Sequence, residues 1–305
     1  MKILVTGGAG FIGSNIVDRL IKEGHQVIVV DDLSRGKKEY LNPNAKFYRI
    51  NIQSKNLEKI FIKEKPDVVD HHSAHINVRE SVKDPIFDAQ NNILGTINLL
   101  ENCRRYEVKK FIFASTGGAL YGDTEIIPTP EDHPLKPISP YGVSKLADEA
   151  YIYYYEKVHN LKATILRYAN VYGPRQDPFG EAGVVAIFIQ KLLAGEQPVI
   201  NGDGEQTRDF VFVDDVVEAN LLALQSEKSV YNVATAKETS VNQLFRKLVA
   251  ITGVDKSEKH GPAIPGEQRR SCLDYRKIKE RLGWEPKTNL DDGLKKTIEW
   301  FRENL

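Results

Sequence analysis

Short apolar runs alternate with helical patterns through the first half of the chain. Residues 2–6, 26–31, 46–50, 68–69 and 111–114 are predicted strands, and helices fit residues 11–23, 57–65, 85–105 and 140–159. Near-continuous apolar strands that alternate with helices are typical of a parallel sheet covered on both faces. Right-handed crossovers make such a sheet doubly wound, so the pattern predicts a Rossmann-like α/β fold.

The pattern loosens beyond Tyr168, where glycines and prolines cluster. A capping-box spacing at 240–243 opens one short helix, Gly283 is placed to end a second, and 291–302 fits a third. We therefore predict a Rossmann domain over residues 1–168. A smaller mixed α/β lobe for the substrate is predicted over 169–305, and the boundary between the two is interleaved.

Composition excludes several classes of protein. The 305 residues contain 42 Lys and Arg against 42 Asp and Glu, so no net positive charge would attract nucleic acid or an anionic membrane. Two cysteines, Cys103 and Cys272, are too few for a disulfide framework or a four-cysteine zinc site. No apolar run approaches the ~18 residues of a membrane span. The expectation is a soluble, cytoplasmic protein.

A glycine motif separates the first predicted strand from the first helix. Gly7, Gly10 and Gly13 suit a tight turn, close approach to a pyrophosphate and close helix–strand packing. Asp31 ends the next strand, where a carboxylate would hold the adenosine ribose hydroxyls. Its charge would repel a 2′-phosphate and favours NAD, although Arg35 could accommodate NADP.

Tyr141 and Lys145 lie four residues apart on one predicted helical face. This spacing decides nothing by itself, because three other such pairs occur and are interpreted as solvated helix faces: Tyr106/Lys110, Tyr153/Lys157 and Tyr275/Lys279. The Tyr141 pair differs because Ser139-Pro140 starts its helix and the preceding strand ends in Ser115-Thr116. A free tyrosine has a pKa of ~10, and an adjacent ammonium and a cationic nicotinamide would both lower it toward the range of a useful base.

In this order, these residues resemble the extended short-chain dehydrogenase/reductase family, and within it the nucleotide-sugar 4-epimerases that act on UDP-glucose and UDP-galactose. Segments 91–96, 139–142, 167–175 and 207–211 support a likeness over almost the whole chain. The resemblance assigns catalysis to Tyr141, Lys145, Thr116 and Ser115. It assigns NAD binding to Gly7, Gly10, Phe11, Ile12, Gly13, Asp31, Asp32, Ser34, Asn51, Ile52, Ala74, Asn91, Ser115, Tyr141, Lys145 and Tyr168. It assigns the nucleotide sugar to Thr116, Gly117, Tyr141, Asn170, Arg208, Arg269 and Ser271, with the two arginines on its phosphates.

The reaction implied by the resemblance is inversion at C4 of a UDP-hexose. Tyr141 would take the O4 proton while NAD takes hydride from C4, and the 4-keto sugar would turn over before hydride returns to its other face. The chain departs from the family at Gly117, where a serine hydroxyl usually faces the sugar, and Thr116 is the expected replacement. Asn51 stands where an aspartate often contacts adenine.

Other functions remain open at this point. Sugar-nucleotide 4,6-dehydratases and UDP-glucuronate decarboxylases share the fold and the Tyr–Lys couple, but they carry acidic residues where this chain has Gly117-Gly118. A non-catalytic NAD(H)-binding regulator would have no need of a poised phenol. A metal site at His71, His72 and His75 is disfavoured against a loop lining the cofactor pocket.

Two further expectations follow from the resemblance. The small Ser271 would leave room for an N-acetyl group on the sugar. A homodimer would pack helices 85–105 and 140–159 of each subunit together.

Overall fold

The computed structural model describes residues 1–179, 183–264 and 268–304. The strands of these residues are β1 (Lys2–Thr6), β2 (Gln26–Asp31), β3 (Lys46–Arg49), β4 (Val68–His71), β5 (Lys110–Thr116), β6 (Ala163–Tyr168), β7 (Asn170–Tyr172), β8 (Ile200–Asn201), β9 (Thr207–Arg208), β10 (Phe210–Phe212), β11 (Ser229–Val233), β12 (Thr239–Ser240), β13 (His260–Gly261) and β14 (Arg270–Ser271). Seven of them form one parallel sheet in the order β11-β6-β5-β4-β1-β2-β3. The reversal of strand order on either side of β1 and β4 is that of a doubly wound sheet.

The helices of the described residues are α1 (Phe11–Lys22), α2 (Leu57–Glu64), α3 (Val78–Lys83), α4 (Pro85–Ala89), α5 (Gly95–Arg105), α6 (Gly117–Leu120), α7 (Pro140–His159), α8 (Val184–Leu193), α9 (Val213–Ala223), α10 (Val241–Thr252), α11 (Arg276–Leu282) and α12 (Leu290–Asn304). None of them is long and apolar enough to cross a membrane.

Helices cover both faces of the main sheet. On one face, α1, α9 and α11 bury Ile16, Val216 and Ile278 against β1, β2 and β6. On the other face, α2, α5 and α7 bury Phe61, Leu99 and other apolar side chains against β4 and β5. Burial on both faces explains the continuous apolar strands, and the predicted Rossmann-like fold is confirmed.

The second half of the chain contributes to two bodies. Helices α8, α10 and α12 enclose a third core that includes Phe188, Phe245 and Phe301. Strand β11 instead joins the main sheet beside β6. Chain beyond residue 168 therefore completes the Rossmann sheet, and the predicted division of the chain at that residue stays a prediction.

Two local predictions were wrong. The helix predicted over 85–105 is two helices, α4 and α5, joined by a π-helical turn at Gln90–Leu94. The pair Tyr106/Lys110 is not a solvated helix face, because Lys110 begins β5 and is buried. Its Nζ donates to Thr164 Oγ1 of β6 at 2.6 Å and to the carbonyl of Ser226 at 2.7 Å, which links the start of the strand to β6 and to the segment after α9.

Parallel strands bring their carboxyl ends to one edge of the sheet. Thr6, Asp31, His71, Thr116 and Tyr168 end β1, β2, β4, β5 and β6 there. Ligands of open α/β sheets bind at this edge, where the strand order reverses. The predicted site residues therefore share one edge although they are far apart in sequence.

Candidate active site

The glycines at the junction of β1 and α1 let backbone segments pack closely around the start of the helix. Gly7 has a φ of 68°, and a Cβ there would lie 2.8 Å from the Ser73 nitrogen; a Cβ at Gly13 would lie 2.2 Å from the Gly7 oxygen. No side chain caps Gly10 in the described structure, and the Phe11 and Ile12 side chains turn into the cores. The N–H groups in the first turn of α1 can therefore donate to an anion. The pyrophosphate of a dinucleotide is an anion that suits this position.

Asp31 is fixed at the end of β2 by backbone donors. Its carboxylate accepts from the Ala9 nitrogen at 3.0 Å and from the Leu33 nitrogen at 2.9 Å, and the residue is only 7% exposed. Burial raises the pKa of this carboxyl, and the two N–H donors oppose that rise. Each oxygen keeps acceptor capacity for a ribose hydroxyl, which agrees with the predicted role.

Three further residues predicted to bind NAD form one polar cluster beside Asp31. Asp32 accepts from the Ser34 nitrogen at 2.9 Å and from the Asn51 side chain at 2.8 Å. Burial would raise the pKa of the Asp32 carboxyl, but the hydrogen bonds from Ser34 and Asn51 outweigh it and the pKa is lowered. Asn51, present where the family often has aspartate, thus supports a neighbouring carboxylate.

The remaining predicted NAD residues have varied surroundings, and their contact with NAD stays a prediction. Ile52 packs against Gly95, where a Cβ would lie 2.6 Å from Ile52 Cδ1. Asn91, on the π-helical turn, accepts from Gln53 at 2.8 Å. Ala74 belongs to the loop between β4 and α3. The Tyr168 ring stacks on His72, and its hydroxyl hydrogen-bonds to Asn220.

Three polar side chains predicted to contact the sugar converge on Gly118. A Cβ at Gly118 would lie 3.9 Å from Ser271 Oγ, 3.9 Å from Thr116 Oγ1 and 4.0 Å from Asn170 Oδ1. At Gly117 a Cβ would lie 2.1 Å from the Leu273 side chain. Gly118 therefore leaves open the space between three hydrogen-bonding groups, whereas Gly117 allows segment 271–273 to pack closely.

The predicted phosphate-binding arginines come from paired strands. Ser271 of β14 pairs with Arg208 of β9, and the Arg269 carbonyl accepts from the Thr207 nitrogen at 3.0 Å. The exposed Arg269 guanidinium forms a bidentate pair with Asp203 at 2.7 and 2.9 Å. Such a solvent-exposed pair is weak, so an anionic ligand could compete for it. Joint action of the two arginines on a diphosphate stays a prediction.

Tyr141 and Lys145 lie on successive turns at the start of α7, close to α6. A Cβ at Gly142 would lie 2.6 Å from the Ala119 oxygen, so the two helices pack tightly here. Ser139 caps α7 and accepts from the Gly142 nitrogen at 3.2 Å, as its sequence predicts. Lys145 Nζ donates to the Ala114 carbonyl at 3.0 Å, at the end of β5.

The expected lowering of the tyrosine pKa is not found in the protein alone. Burial raises the pKa of the Tyr141 phenol well above its usual value, and the carboxyls of Asp88 and Asp148 raise it further. The predicted lowering concerns Lys145 together with a cationic nicotinamide, so for the NAD-bound protein it stays a prediction. In the protein alone, burial and two nearby acids act on this phenol in the opposite direction.

The catalytic role predicted for the Ser115 side chain is corrected, and its cofactor role stays a prediction. Its side chain is buried, and its hydroxyl donates to Glu149 Oε1 at 2.6 Å. Glu149 in turn holds Arg167 through two bonds, at 3.0 and 2.6 Å. The alternating directions of side chains in a strand turn Ser115 toward α7 and leave Thr116 for the sugar end. Ser115 therefore anchors the end of β5 inside the protein.

Sequence reasoning missed the Glu149–Arg167 ion pair and the acids Asp88 and Asp148. All four are buried charged residues in amphipathic or apolar segments. A charged residue within an apolar strand such as 163–168 was the available signal, because charged groups are buried only when they are paired.

The three histidines have separate partners and lie on a strand end and a loop, not on a helix. His71 hydrogen-bonds to Thr6 and Thr96, His72 to Asp70 and His75 to Glu80. The described residues contain no group of three His, Cys, Asp or Glu side chains that could hold a metal ion.

Comparisons with known proteins agree with this site. The model of the NAD dependent epimerase/dehydratase family matches residues 3–234. The chain belongs to this family.

Three relatives are similar over their full length. A putative UDP-glucose 4-epimerase of Methanocaldococcus jannaschii is 49% identical over 303 residues, 99% of either chain. The crystal structure of UDP-glucose 4-epimerase with UDP-glucose from Thermotoga maritima is 54% identical, with a TM-score of 0.98 over 100% of this chain and 99% of that one. UDP-glucose 4-epimerase of Thermus thermophilus in complex with NAD is 42% identical, with a TM-score of 0.96 over 100% of both chains. The protein is accordingly an NAD-dependent enzyme of the isomerase type.

Proposed function

We propose that this protein is a UDP-glucose 4-epimerase, which interconverts UDP-galactose and UDP-glucose by inversion at C4. The observation that carries the proposal is the convergence of Thr116, Asn170 and Ser271 on the open space at Gly118. Helix α6, which contains Gly118, packs against the first turn of α7, which carries Tyr141. A sugar ring there would meet several hydrogen-bonding groups and one phenol.

The site holds NAD through residues already placed along the sheet edge. The N–H groups of Phe11, Ile12 and Gly13 would bind the pyrophosphate, and Asp31 would bind the adenosine ribose. NAD, when bound, supplies reversible hydride transfer at the sugar's C4. The protein's own task is to hold the sugar beside it and to remove and return the O4 proton.

Tyr141 is the group that we assign to the O4 proton. Its phenol is uncharged in the protein alone, since burial, Asp88 and Asp148 raise its pKa. Lys145 is buried a turn away and, as the ammonium, would supply the positive charge that a phenolate needs as a neighbour. Thr116 would hydrogen-bond to the same sugar oxygen and fix its position.

The absence of an acid beside Thr116 favours epimerisation over elimination. A 4,6-dehydratase must protonate and expel the C6 hydroxyl, which requires acid–base groups next to the sugar. Gly117 and Gly118 provide none, and Leu273 fills the space that a side chain at position 117 would need.

Three further expectations accompany this function. Ser271, with its small side chain, gives tolerance of UDP-N-acetylhexosamines, and failure to epimerise UDP-N-acetylgalactosamine would refute this. Exposed apolar side chains on α4, on the turn that follows it and on α7 support a homodimer that light scattering can test: Ile86, Phe87, Leu94, Val143, Tyr151, Tyr154 and Val158. A cytoplasmic location remains an expectation from composition.

The decisive experiment is to incubate the purified protein with NAD and UDP-galactose and to quantify UDP-glucose. We expect conversion toward a mixture of both sugars. Tyr141→Phe should bind NAD normally and lose turnover by roughly 100-fold or more, the scale of a general-base contribution. Full turnover by this variant would refute the role of Tyr141, and no conversion by the parent would refute the proposed reaction.

A further inference from the structure

Asp148 is a buried carboxyl that no predicted role uses. It lies on α7, three residues after Lys145 and on the same side of the helix. Its side chain is fully buried, and neither carboxyl oxygen has a hydrogen-bond partner among the described residues. The Thr96 hydroxyl faces the carboxyl and opposes the rise in its pKa, but without the geometry of a full hydrogen bond. A carboxyl buried in this way is costly, which calls for a functional explanation.

The surroundings of Lys145 explain why Asp148 differs from its neighbours. Lys145 Nζ has the Ala114 carbonyl at 3.0 Å and lies 4.5 Å from the centre of the Phe113 ring. Three carboxyls act on its charge, those of Asp148, Glu149 and Asp88.

Two of these three carboxyls are committed elsewhere. Glu149 accepts from the Ser115 hydroxyl and from Nε and Nη2 of Arg167. Asp88 is bound by Ser144 at 2.6 Å and by Asn92 at 3.0 Å. Among the carboxyls around Lys145, Asp148 is therefore the one whose charge can change without breaking a hydrogen bond seen in the described structure.

We propose that Asp148 is a positioning residue that sets the charge balance of the Tyr141–Lys145 couple. It acts through the field that it exerts on both groups and contacts neither sugar nor NAD. When ionised, it holds Lys145 as the ammonium and makes the Tyr141 phenolate harder to form. The inference rests on the proposed function, because it concerns the same proton transfer.

The pKa shifts of the neighbouring groups have the directions that this role requires. Burial raises the pKa of the Asp148 carboxyl, and Lys145 opposes that rise. Burial lowers the pKa of Lys145, whereas Asp148, then Glu149 and Asp88, raise it. His71, at the end of β4 on this side, has its pKa lowered by burial and by Lys145, so it is neutral and adds no charge. Removal of the Asp148 charge must lower the pKa of both Lys145 and Tyr141.

The test is the pH dependence of turnover in Asp148→Asn, a nearly isosteric change, with NAD and UDP-galactose supplied. Activity requires the Tyr141 phenolate, whose protonation causes the loss of turnover at low pH (the acid limb). It also requires the Lys145 ammonium, whose deprotonation causes the loss at high pH (the alkaline limb). We expect the alkaline limb to move down by about one pH unit, the effect of one charge at this range in a partly shielded interior. The acid limb should move down by less, because Asp148 carries its proton over part of that range.

Asp148→Glu is the matched control, since it restores the charge on the same helical face and should keep both limbs near those of the parent. A second readout is the ultraviolet absorbance of tyrosinate in the NAD-loaded protein, with Tyr141→Phe as the background. Asp148→Asn should bring the Tyr141 signal to lower pH.

Unchanged limbs, or limbs that move up, would overturn the inference, and so would an equal loss of turnover at every pH, which a purely structural role predicts. Failure of the proposed function is distinguishable, because it appears as an absence of UDP-glucose in the parent.

Discussion

The cofactor end and the sugar end of the same sheet edge are built by different means. At the cofactor end, backbone atoms do most of the work: glycines 7 and 13 leave no room for a Cβ, and two amides fix Asp31. At the sugar end, side chains from β5, β7 and β14 meet around Gly118. The first site is local in sequence, and the second exists only once the second half of the chain has folded over the sheet.

This difference has a consequence for mutation. At the cofactor end a substitution acts through backbone geometry, so even one added methyl group should weaken cofactor binding severely. At the sugar end a change removes a single hydrogen-bonding group and leaves the framework intact. Substitutions at the cofactor end should therefore lower NAD affinity strongly, and substitutions at the sugar end should lower kcat/KM by a smaller factor.

The largest effect is expected for Gly13→Ala. The added methyl would lie 2.2 Å from the Gly7 oxygen, so the turn must open. The N–H groups at the start of α1 would then no longer point at the pyrophosphate. NAD affinity, measured by calorimetry, should fall by more than about 100-fold. Gly24→Ala is the control, because a Cβ there meets nothing within 4 Å, although its φ of 82° carries modest strain. Tight NAD binding by Gly13→Ala would contradict the assignment of the pyrophosphate to the start of α1.

A smaller effect is expected at the sugar end for Thr116→Val. Loss of a hydroxyl that binds the reacting oxygen should lower kcat/KM for UDP-galactose by roughly 10- to 100-fold, with NAD affinity unchanged.

Ser115→Ala is the matched control, because that hydroxyl faces Glu149 and not the site. It should cost roughly 1.5–3 kcal/mol of unfolding free energy, the scale of a hydrogen bond to a charged group, and change kcat/KM by no more than a few fold. If Ser115→Ala loses more turnover than Thr116→Val, the corrected assignment is wrong.

Local signals predicted much of this structure from sequence. The alternation of apolar strands and helices placed the main sheet, and Ser139-Pro140 and the Ser240 capping box marked helix starts that the structure confirms. The glycine motif could be placed in the fold because a turn that only glycine allows shows itself in a few adjacent residues. Asp31 could be placed because it ends the next apolar strand.

What the sequence did not reveal depends on partners distant in the chain. The direction of the Ser115 hydroxyl follows from Glu149, 34 residues away, and from Arg167 beyond it. The pKa of Tyr141 follows from its burial, from Asp88 on another helix and from Asp148 on its own helix. Spacing along one helix identifies candidates for a charge pair but does not reveal the other charges that tertiary packing brings near it.

The central claim, that this site inverts C4 by removing and returning one hydrogen, is tested most directly with UDP-galactose that carries deuterium at C4. The protein with NAD should yield UDP-glucose that keeps the deuterium at C4, with none released to solvent, and Tyr141→Phe should yield almost no product. UDP-glucose with ordinary hydrogen at C4, or deuterium in the water, would contradict the account.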